Sequence, residues 1–357
     1  MARESANAPF LRNAWYIACW DDDLAGGVFG RTIMNEPIAF FRDASGKAGA
    51  VEDRCCHRGA ALTDGKVIDR GLQCGYHGLV FDVNGKCVEI PGQDAIPPMA
   101  HIKSYPVVER HEAIWIWMGD PALADESKIV DWPFHKDGAT PLPHRKGCLP
   151  FSANYLMLVD NLMDLTHLGF VHSRTIGGHP MQHVNAEMSV ERTENGCRFS
   201  RWMMDSNAPP TYVKAAGFTG KIDRWLEFEY RAPCLVLQYT GAIDAGRGAK
   251  QNQNQPGFHS RIIHCATPET ETSAFYIFAA SNGYRTDDPA ATQELYDQLI
   301  PTFIEDVTMM SNQQSRINLD PTRPLLNIKA DAAVVQARRA FHAAFEAEQK
   351  LHARAAE

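Results

Sequence analysis

Cys55, His57, Cys74 and His77 recur as C-x-H and C-x-x-H with sixteen residues between the pairs. A [2Fe-2S] cluster that takes two thiolates on one iron and two imidazoles on the other uses this ligand set, and its neutral imidazoles raise the reduction potential above that of an all-cysteine cluster. Such a centre accepts single electrons and passes them on. Gly59 and Ala60 flank the first pair and Gly75 and Gly78 the second, small residues that suit loops closing tightly over a cluster. Structural zinc is the competing reading. Cys2His2 zinc sites, however, space their ligands as C-x(2 to 4)-C and H-x(3 to 5)-H, not as one Cys and one His in each pair. Cys56, in the x position of C-x-H, is expected to point away from the iron held by Cys55 as a buried bystander.

An electron carrier needs a destination, and LVDNLMDLTHLGFVH (158–172) offers one with Asp160, Asn161, Asp164, His167 and His172. At about 100° per residue, Asp160, Asp164 and His167 fall on one helical face. Five residues separate His172 from His167, a rotation of about 140°, so both imidazoles meet one metal only if the helix bends or ends between them. Gly169 stands where such a break would fit. Two histidines and one carboxylate with open positions make the facial triad of non-haem Fe(II) oxygenases. In LIPTFIEDVTMM, Leu299, Ile300, Phe303, Val307 and Met310 form an apolar stripe that includes Asp306, whereas Glu305 points to the opposite side. An acid on a core-facing stripe is costly unless it is paired or bound to metal, so Asp306 is the expected third ligand. Asp164, one turn before His167, is placed to accept a hydrogen bond from the remote N–H of that imidazole, as partners of metal-bound histidines do.

These centres must be positioned by a chain of 357 residues, enough for two domains. The net charge of -8 argues against a nucleic-acid partner. No run approaches the roughly 18 apolar residues of a membrane span, and the opening MARESANAPF has no hydrophobic signal core. Nine cysteines, two of them assigned to the cluster, suit a reducing compartment; the expected location is the cytoplasm. Residues 1–130 read as an all-β domain of short strands, among them TIMNEPIAFFR, KAGAVED, LVFDVNGKCVEI and AIWIWMG, with Asn84-Gly85 as a hairpin turn. Residues 131–357 read as an α+β domain, with strands in WLEFEYRAPCLVLQY and TSAFYIFAA and a terminal helix over AAVVQARRAFHAAFEAEQKLHARA. The fold class is α+β. The proline-rich stretch from Pro133 to Pro150 marks the crossing, and Gly246 to Gly257 is the expected mobile loop.

The C-x-H and C-x-x-H pairs, together with N-x-x-D-x-x-H-x4-H from Asn161 to His172, resemble the oxygenase components of Rieske non-haem iron oxygenases. RNAWYIACW, EIPGQ, YPVVER, WIWMGDPALAD and TPETET extend the likeness over nearly the whole chain, to the subgroup containing vanillate O-demethylase, dicamba demethylase and toluenesulfonate methyl-monooxygenase. The resemblance implies an N-terminal Rieske [2Fe-2S] domain and a catalytic domain with an antiparallel sheet, flanking helices and mononuclear Fe(II). It also implies a head-to-tail homotrimer, in which Asp164 links the cluster of one subunit to the iron of the next. Electrons would come from NAD(P)H through a separate reductase carrying FMN and a ferredoxin-type [2Fe-2S] centre; this chain shows no nucleotide-binding fingerprint. Arg54, Arg58 and Arg70 are either a steering patch for that reductase or scattered surface charges.

The implied reaction uses O2 and two electrons to hydroxylate a methyl or methoxy substituent of an aromatic acid. A methoxy group, as in vanillate-like benzoates, gives a hemiacetal that collapses to a phenol and formaldehyde; an aryl methyl, as in toluenesulfonate or toluate, gives a benzylic alcohol. Ring dihydroxylation and a pure electron-transfer role are less favoured. By resemblance to the dicamba enzyme, His264 and Gln238 contact substrate, Gln238 standing where that enzyme has asparagine. Phe275, Tyr276, Phe303, Met309 and Met310 would line an apolar pocket for a flat ring, or equally form an ordinary core.

Overall fold

The computed structural model describes residues 8–355, and most of the opening MARESANAPF, expected to hold no signal core, lies outside the described residues. No described helix is long and apolar enough to cross a membrane. The chain divides into two compact units, one spanning Arg12–Asp137 and the other formed by residues 8–11 with the chain from Gly138.

The first unit is all β: β1 (Trp15–Trp20), β2 (Phe29–Ile33), β3 (Glu36–Arg42), β4 (Ala48–Glu52), β5 (Lys66–Ile68), β6 (Gly71–Gln73), β7 (Val80–Phe81), β8 (Cys87–Glu89), β9 (Ser104–Tyr105), β10 (Val107–Arg110) and β11 (Ala113–Trp117). They make sheets ordered β1-β11-β10, β2-β3-β4-β9 and β5-β6-β7-β8. Continuous apolar runs such as WYIACW and AIWIW are buried along their full length, as strands covered on both faces must be. The segment TIMNEPIAFFR, named among the short-strand segments, forms a hairpin. Ile33 pairs with Glu36, and the residues between them, Met34 and Asn35, take φ of 53° and 66°, the left-handed pair that a two-residue turn requires. The Asn84-Gly85 turn joins β7 to β8 as its sequence indicates. There Asp82 Oδ1 accepts from the backbone N–H groups of Asn84 and Lys86, both at 2.9 Å.

The second unit carries a seven-stranded antiparallel sheet of β12 (His144–Phe151), β13 (Glu187–Thr193), β14 (Gly196–Asn207), β15 (Lys221–Arg231), β16 (Leu235–Asp244), β17 (Phe258–Thr270) and β18 (Ser273–Asn282), ordered β12-β18-β17-β16-β15-β14-β13. Its helices are α1 (Leu156–Met163), α2 (Leu168–Val171), α3 (Pro180–Val184), α4 (Pro210–Ala216), α5 (Pro289–Ile317) and α6 (Ala332–Ala355). The proline-rich crossing is partly strand, since β12 pairs with β18 from His144 onward. The loop expected to be mobile is tied down, with Ala249 buried against Trp225 and Ile243 and Gln253 Nε2 donating to Glu227 at 2.8 Å. Helix α5 starts at Asp288, whose Oδ1 accepts from the Ala290 N–H at 3.0 Å, and Pro289 fills the first helical position, where its missing N–H costs nothing. Pro301, inside the same helix, removes one backbone bond shortly before Asp306.

Candidate metal centres

The two cysteine–histidine loops share one backbone pattern. Cys55 N–H donates to Ala60 O at 2.8 Å and Gly59 N–H to Cys55 O at 2.9 Å; Cys74 N–H donates to Leu79 O at 2.8 Å and Gly78 N–H to Cys74 O at 3.1 Å. Gly59 and Gly78, each four residues after its cysteine, take φ of 73° and 76°, a turn that glycine makes without strain. The first loop is anchored by Asp53, whose Oδ1 accepts from the N–H groups of Leu62 and Thr63 at 2.5 and 2.8 Å. Gly75 is required by close approach, since a Cβ there would lie 2.6 Å from the Asp64 carbonyl oxygen.

Cys55 and Cys74 are buried in the apolar core under the loops, whereas His57 and His77 are exposed, their ring centroids 4.6 Å apart. Burial pushes the Cys55 thiol up to about 11, and the neighbouring Cys74 thiol adds to the effect. The Cys55 thiol therefore resists ionisation beside Cys74, and a bound cation would lift that penalty by taking the pair as thiolates. The residues therefore fit a cluster held with its thiolate side inward and its imidazole side outward. Cys56 is exposed, not buried: at the x position its side chain faces away from the core that holds Cys55. Arg54 and Arg58 are exposed, and Arg70 is paired with Glu89 at 2.9 Å.

In the second unit, α1 ends at Met163 and Asp164 turns extended, with φ -113° and ψ 103°. One helical turn follows, with His167 at its start and His172 at its end. The break thus precedes His167. Gly169 lies within the turn, where a Cβ would fall 2.4 Å from Cα of Pro180, so its smallness lets α2 and α3 touch. The two imidazoles face each other at 5.2 Å between centroids. Asp306 Oδ1 lies 3.0 Å from His172 Nε2 and 3.6 Å from His167 Nε2, and one ligand atom from each residue falls within 4.8 Å of the others. Asp306 is buried on the stripe of α5 that includes Leu299, Phe303 and Met310. Asn161 Nδ2 donates to its Oδ1 at 3.0 Å, while Asn161 Oδ1 is buried without a partner.

The supporting contacts differ from the sequence reading. His167 Nδ1–H donates to the main-chain carbonyl of Asp164 at 2.5 Å, not to its carboxylate. That carboxylate accepts instead from the Thr166 N–H at 2.9 Å and from the Thr166 hydroxyl. Asp160 is turned away altogether, bound by both arms of the Arg338 guanidinium at 2.8 and 2.6 Å. Glu305, expected on the far side of α5, is partly exposed yet its Oε2 lies 2.7 Å from His172 Nδ1. One step along a helix turns a side chain by about 100°, enough to put Glu305 at the rim beside Asp306, and no pattern in the sequence marks it. Both histidines thus commit Nδ1–H to an oxygen and leave Nε2 aimed at Asp306, the tautomer a metal ligand needs. Burial lowers His167, and the neighbouring His172 adds to this. Burial also opposes the charge on His172, but the hydrogen bonds and charges of Asp306 and Glu305 outweigh it and raise its pKa. The donor set fits a hard or borderline divalent ion such as Fe(II).

An apolar cavity opens beside this cluster, walled by Leu162, Ile176, Phe228, Leu295, Leu299 and Phe303 and edged by Gln238 and His264. Of the five aromatic and methionine residues expected to line it, Phe303 does; Tyr276 and Met310 are core residues, Phe275 is half-buried and Met309 is exposed, and none of these four borders the cavity. Tyr276 OH donates to His264 Nδ1 at 2.7 Å, His264 Nε2–H to Gln238 Oε1 at 2.9 Å and Gln238 Nε2 to Thr240 Oγ1 at 2.7 Å. Burial brings His264 down to about 3, so this chain of bonds is neutral. Among the residues the sequence reading missed, His183 is also buried and lies 2.7 Å from the Gly177 carbonyl.

Residues 14–106 match the Rieske [2Fe-2S] domain and residues 151–347 the vanillate O-demethylase oxygenase C-terminal domain. The chain is 40% identical over 92% of its length to the iron–sulfur subunit of the toluene-4-sulfonate monooxygenase system of Comamonas testosteroni, covering 95% of that protein. It is 35% identical to a vanillate O-demethylase oxygenase subunit of Pseudomonas sp., over 96% of both chains. The crystal structure of dicamba monooxygenase bound to 3,6-dichlorosalicylic acid matches with a TM-score of 0.88 at 32% identity, over 96% of this chain and 99% of that one. With two metal-ligand constellations on one chain and likeness of this extent to such subunits, the protein belongs to the Rieske non-haem iron monooxygenases as the oxygenase component of a multi-component system, carrying a Rieske [2Fe-2S] cluster and mononuclear iron.

Proposed function

We propose that this oxygenase hydroxylates the methyl carbon of a methoxy- or methyl-substituted aromatic acid, with O-demethylation of vanillate-like methoxybenzoates as the first reading. The observation that carries it is the apolar cavity with His167, His172 and Asp306 on one wall and the polar groups of Gln238 and His264 on another. A flat ring held between such walls brings one substituent to the metal and leaves its polar groups to the amide. Arg12–Asp137 serves as the cluster domain and the chain from Gly138 as the iron domain.

Cys55, Cys74, His57 and His77 would hold the [2Fe-2S] cluster, and His167, His172 and Asp306 would hold the mononuclear Fe(II). When bound, the cluster supplies single electrons and the Fe(II) a place for O2 to be activated. Asn161 fixes the Asp306 carboxylate, while Glu305 and the Asp164 carbonyl hold the imidazoles in register. The apolar wall keeps bulk water away from the reacting carbon. His264, locked by Tyr276, sets the orientation of the Gln238 amide that faces substrate. One oxygen atom enters the C–H bond and the other leaves as water, with two electrons and two protons drawn from NAD(P)H and solvent. A methoxy substrate then yields a phenol and formaldehyde.

The cytoplasmic working unit is a head-to-tail homotrimer, in which Asp164 bridges the cluster of one subunit and the iron of the next, fed by a separate FMN and [2Fe-2S] reductase. Exposed apolar residues beside the iron ligands, Phe170 on α2 and Met181 and Val184 on α3, support a subunit contact there. The exposed His57 and His77 support electron entry at the cluster edge. A second reading, aryl-methyl hydroxylation to a benzylic alcohol, is favoured by the likeness to the toluene-4-sulfonate subunit. Oxygen uptake with a surrogate reductase and NADH, across methoxy- and methyl-substituted benzoates and sulfonates, tests both. Formaldehyde matching oxygen consumed supports O-demethylation, and benzylic alcohol without formaldehyde supports the second reading. Oxygen consumed with no organic product from any member would contradict both.

A further inference from the structure

Arg224 stands on β15 and lines the same cavity as the iron ligands, yet it is only 2% exposed. Its Nη1 donates to the Gly177 carbonyl at 3.2 Å and its Nη2 to the Ile176 carbonyl at 3.0 Å, and Cζ lies 4.7 Å from the Tyr212 ring centroid. No carboxylate pairs with it among the described residues, and its Nε is buried without a hydrogen-bond partner. Two carbonyls and a ring face spread the charge but do not cancel it. A buried cation lacking a counter-charge is expensive, and a wall that keeps one gains when an anion enters.

Ser260 is the second unfinished group on this wall. It lies on β17, lines the cavity and is 3% exposed, and its Oγ has no partner. The register aligns Arg224 with Ala242 and Phe258, and the next inward row aligns Leu226 with Thr240 and Ser260. Side chains two residues apart on a strand share a face, so Arg224 and Ser260 look onto one side of the sheet. By contrast, the chain from Tyr276 through His264 and Gln238 to Thr240 already spends its bonds internally. It orients a substrate without offering it a charge.

We propose that Arg224, assisted by the Ser260 hydroxyl, binds the oxyanion of the substrate, which makes the substrate class an aryl carboxylate or sulfonate and not a neutral methyl or methoxy arene. This rests on the proposed oxidation of a methyl or methoxy group and adds the residue that selects for the acid. Arg224 also ties down the segment leaving His172, through Ile176 and Gly177, so loss of turnover alone would not separate binding from support.

The test is titration calorimetry on the holoenzyme with toluene-4-sulfonate, 4-methoxybenzoate and the uncharged methyl 4-tolyl sulfone, with iron content measured for each variant. Wild type is expected to bind both anions roughly tenfold to hundredfold tighter than the sulfone, the span of a charge-assisted hydrogen bond. Arg224→Gln is expected to erase that preference while leaving sulfone binding in place. Arg224→Lys keeps the charge without the planar fork and should retain part of the preference, and Ser260→Ala should weaken the anions a few-fold. The ratio of sulfonate to carboxylate affinity in wild type tells which oxyanion the site prefers. Equal wild-type affinity for anions and sulfone overturns the proposal without any variant, as does an Arg224→Gln or Arg224→Lys protein that weakens all three ligands alike. Turnover of neutral methyl arenes with no anion binding would leave methyl oxidation standing and remove the anion site. Failure to bind or oxidise any of the three would count against the proposed function itself, and with it this inference.

Discussion

The proposed cluster loops and the proposed iron site meet opposite demands with overlapping ligand chemistry. Cys55, His57, Cys74 and His77 come from one stretch of chain and are set by backbone geometry, two loops with the same hydrogen bonds and a left-handed glycine at the same place. Their thiols are buried and their imidazoles exposed. His167 and His172 come from one helical turn, but Asp306 lies 134 residues beyond His172 and reaches it only through the packing of α5. Here His172 and Asp306 are buried, and the imidazoles are held by Glu305 and a main-chain carbonyl. An electron-transfer centre needs an accessible edge, whereas a centre that oxidises a C–H bond must keep water out.

Asp164→Asn is the substitution expected to cut deepest between the two regions. Asn keeps an oxygen to accept from Thr166, so both metal sites should stay filled, while the lost charge at the proposed bridge between cluster and iron lowers turnover more than about 100-fold, beyond the usual effect of a ligand's supporting partner. Stopped-flow reoxidation of the reduced cluster would locate the block, and a fully active variant would remove Asp164 from that role. Glu305→Gln comes next. Losing the charged partner of His172 Nδ1 should lower iron affinity or activity by roughly 10- to 100-fold, without change in the cluster's visible spectrum; unchanged iron affinity would make Glu305 a surface acid.

A third contrast lies inside the cluster region. Gly75→Ala drives a Cβ to 2.6 Å from a backbone oxygen, whereas at Gly59 the nearest atom is 3.5 Å away and the obstacle is a φ of 73°. Gly75→Ala should therefore cost about 3 kcal/mol and Gly59→Ala about 1 kcal/mol. Urea denaturation that ranks them the other way would contradict the steric account.

Much of this molecule is written in local sequence. The two matching cysteine–histidine loops, the Asn84-Gly85 turn, the terminal helix and the placement of Asp306 on a buried stripe all depend on spacing or periodicity, and the fold contains each of them. What the sequence hides is side-chain direction where regular helix ends. Uniform helical rotation puts Asp160, Asp164 and His167 together, but the backbone turns extended at Asp164 and separates His167 from that face, while Asp160 pairs with Arg338 on α6. Helical rotation places Glu305 on the far side of α5, yet a long side chain at the rim reaches His172. Arg224 and Ser260 were illegible because an alternating strand does not say which face borders a cavity.

The smallest effect concerns pH. Burial holds His264 at about 3 and His183 at about 4, below the ordinary 6.5. Both are neutral when folded, so in that window the unfolded chain binds more protons. Their contribution is fully present above about pH 6.5 and declines as pH falls toward those values. The iron unit should show a lower denaturation midpoint at about pH 5 than at about pH 7.5, and His183→Gln should narrow the gap; an equal gap in that variant would show that His183 takes no part.

If one chain holds two iron centres through separate ligand sets, Asp306→Ala tests this most directly. Iron and acid-labile sulfide should be counted in wild type and variant, alongside the electron paramagnetic resonance spectrum of the reduced cluster. The expected result is loss of the mononuclear iron and of all product, with sulfide content and cluster signal unchanged. Retained mononuclear iron, or a cluster lost with it, would contradict the assignment.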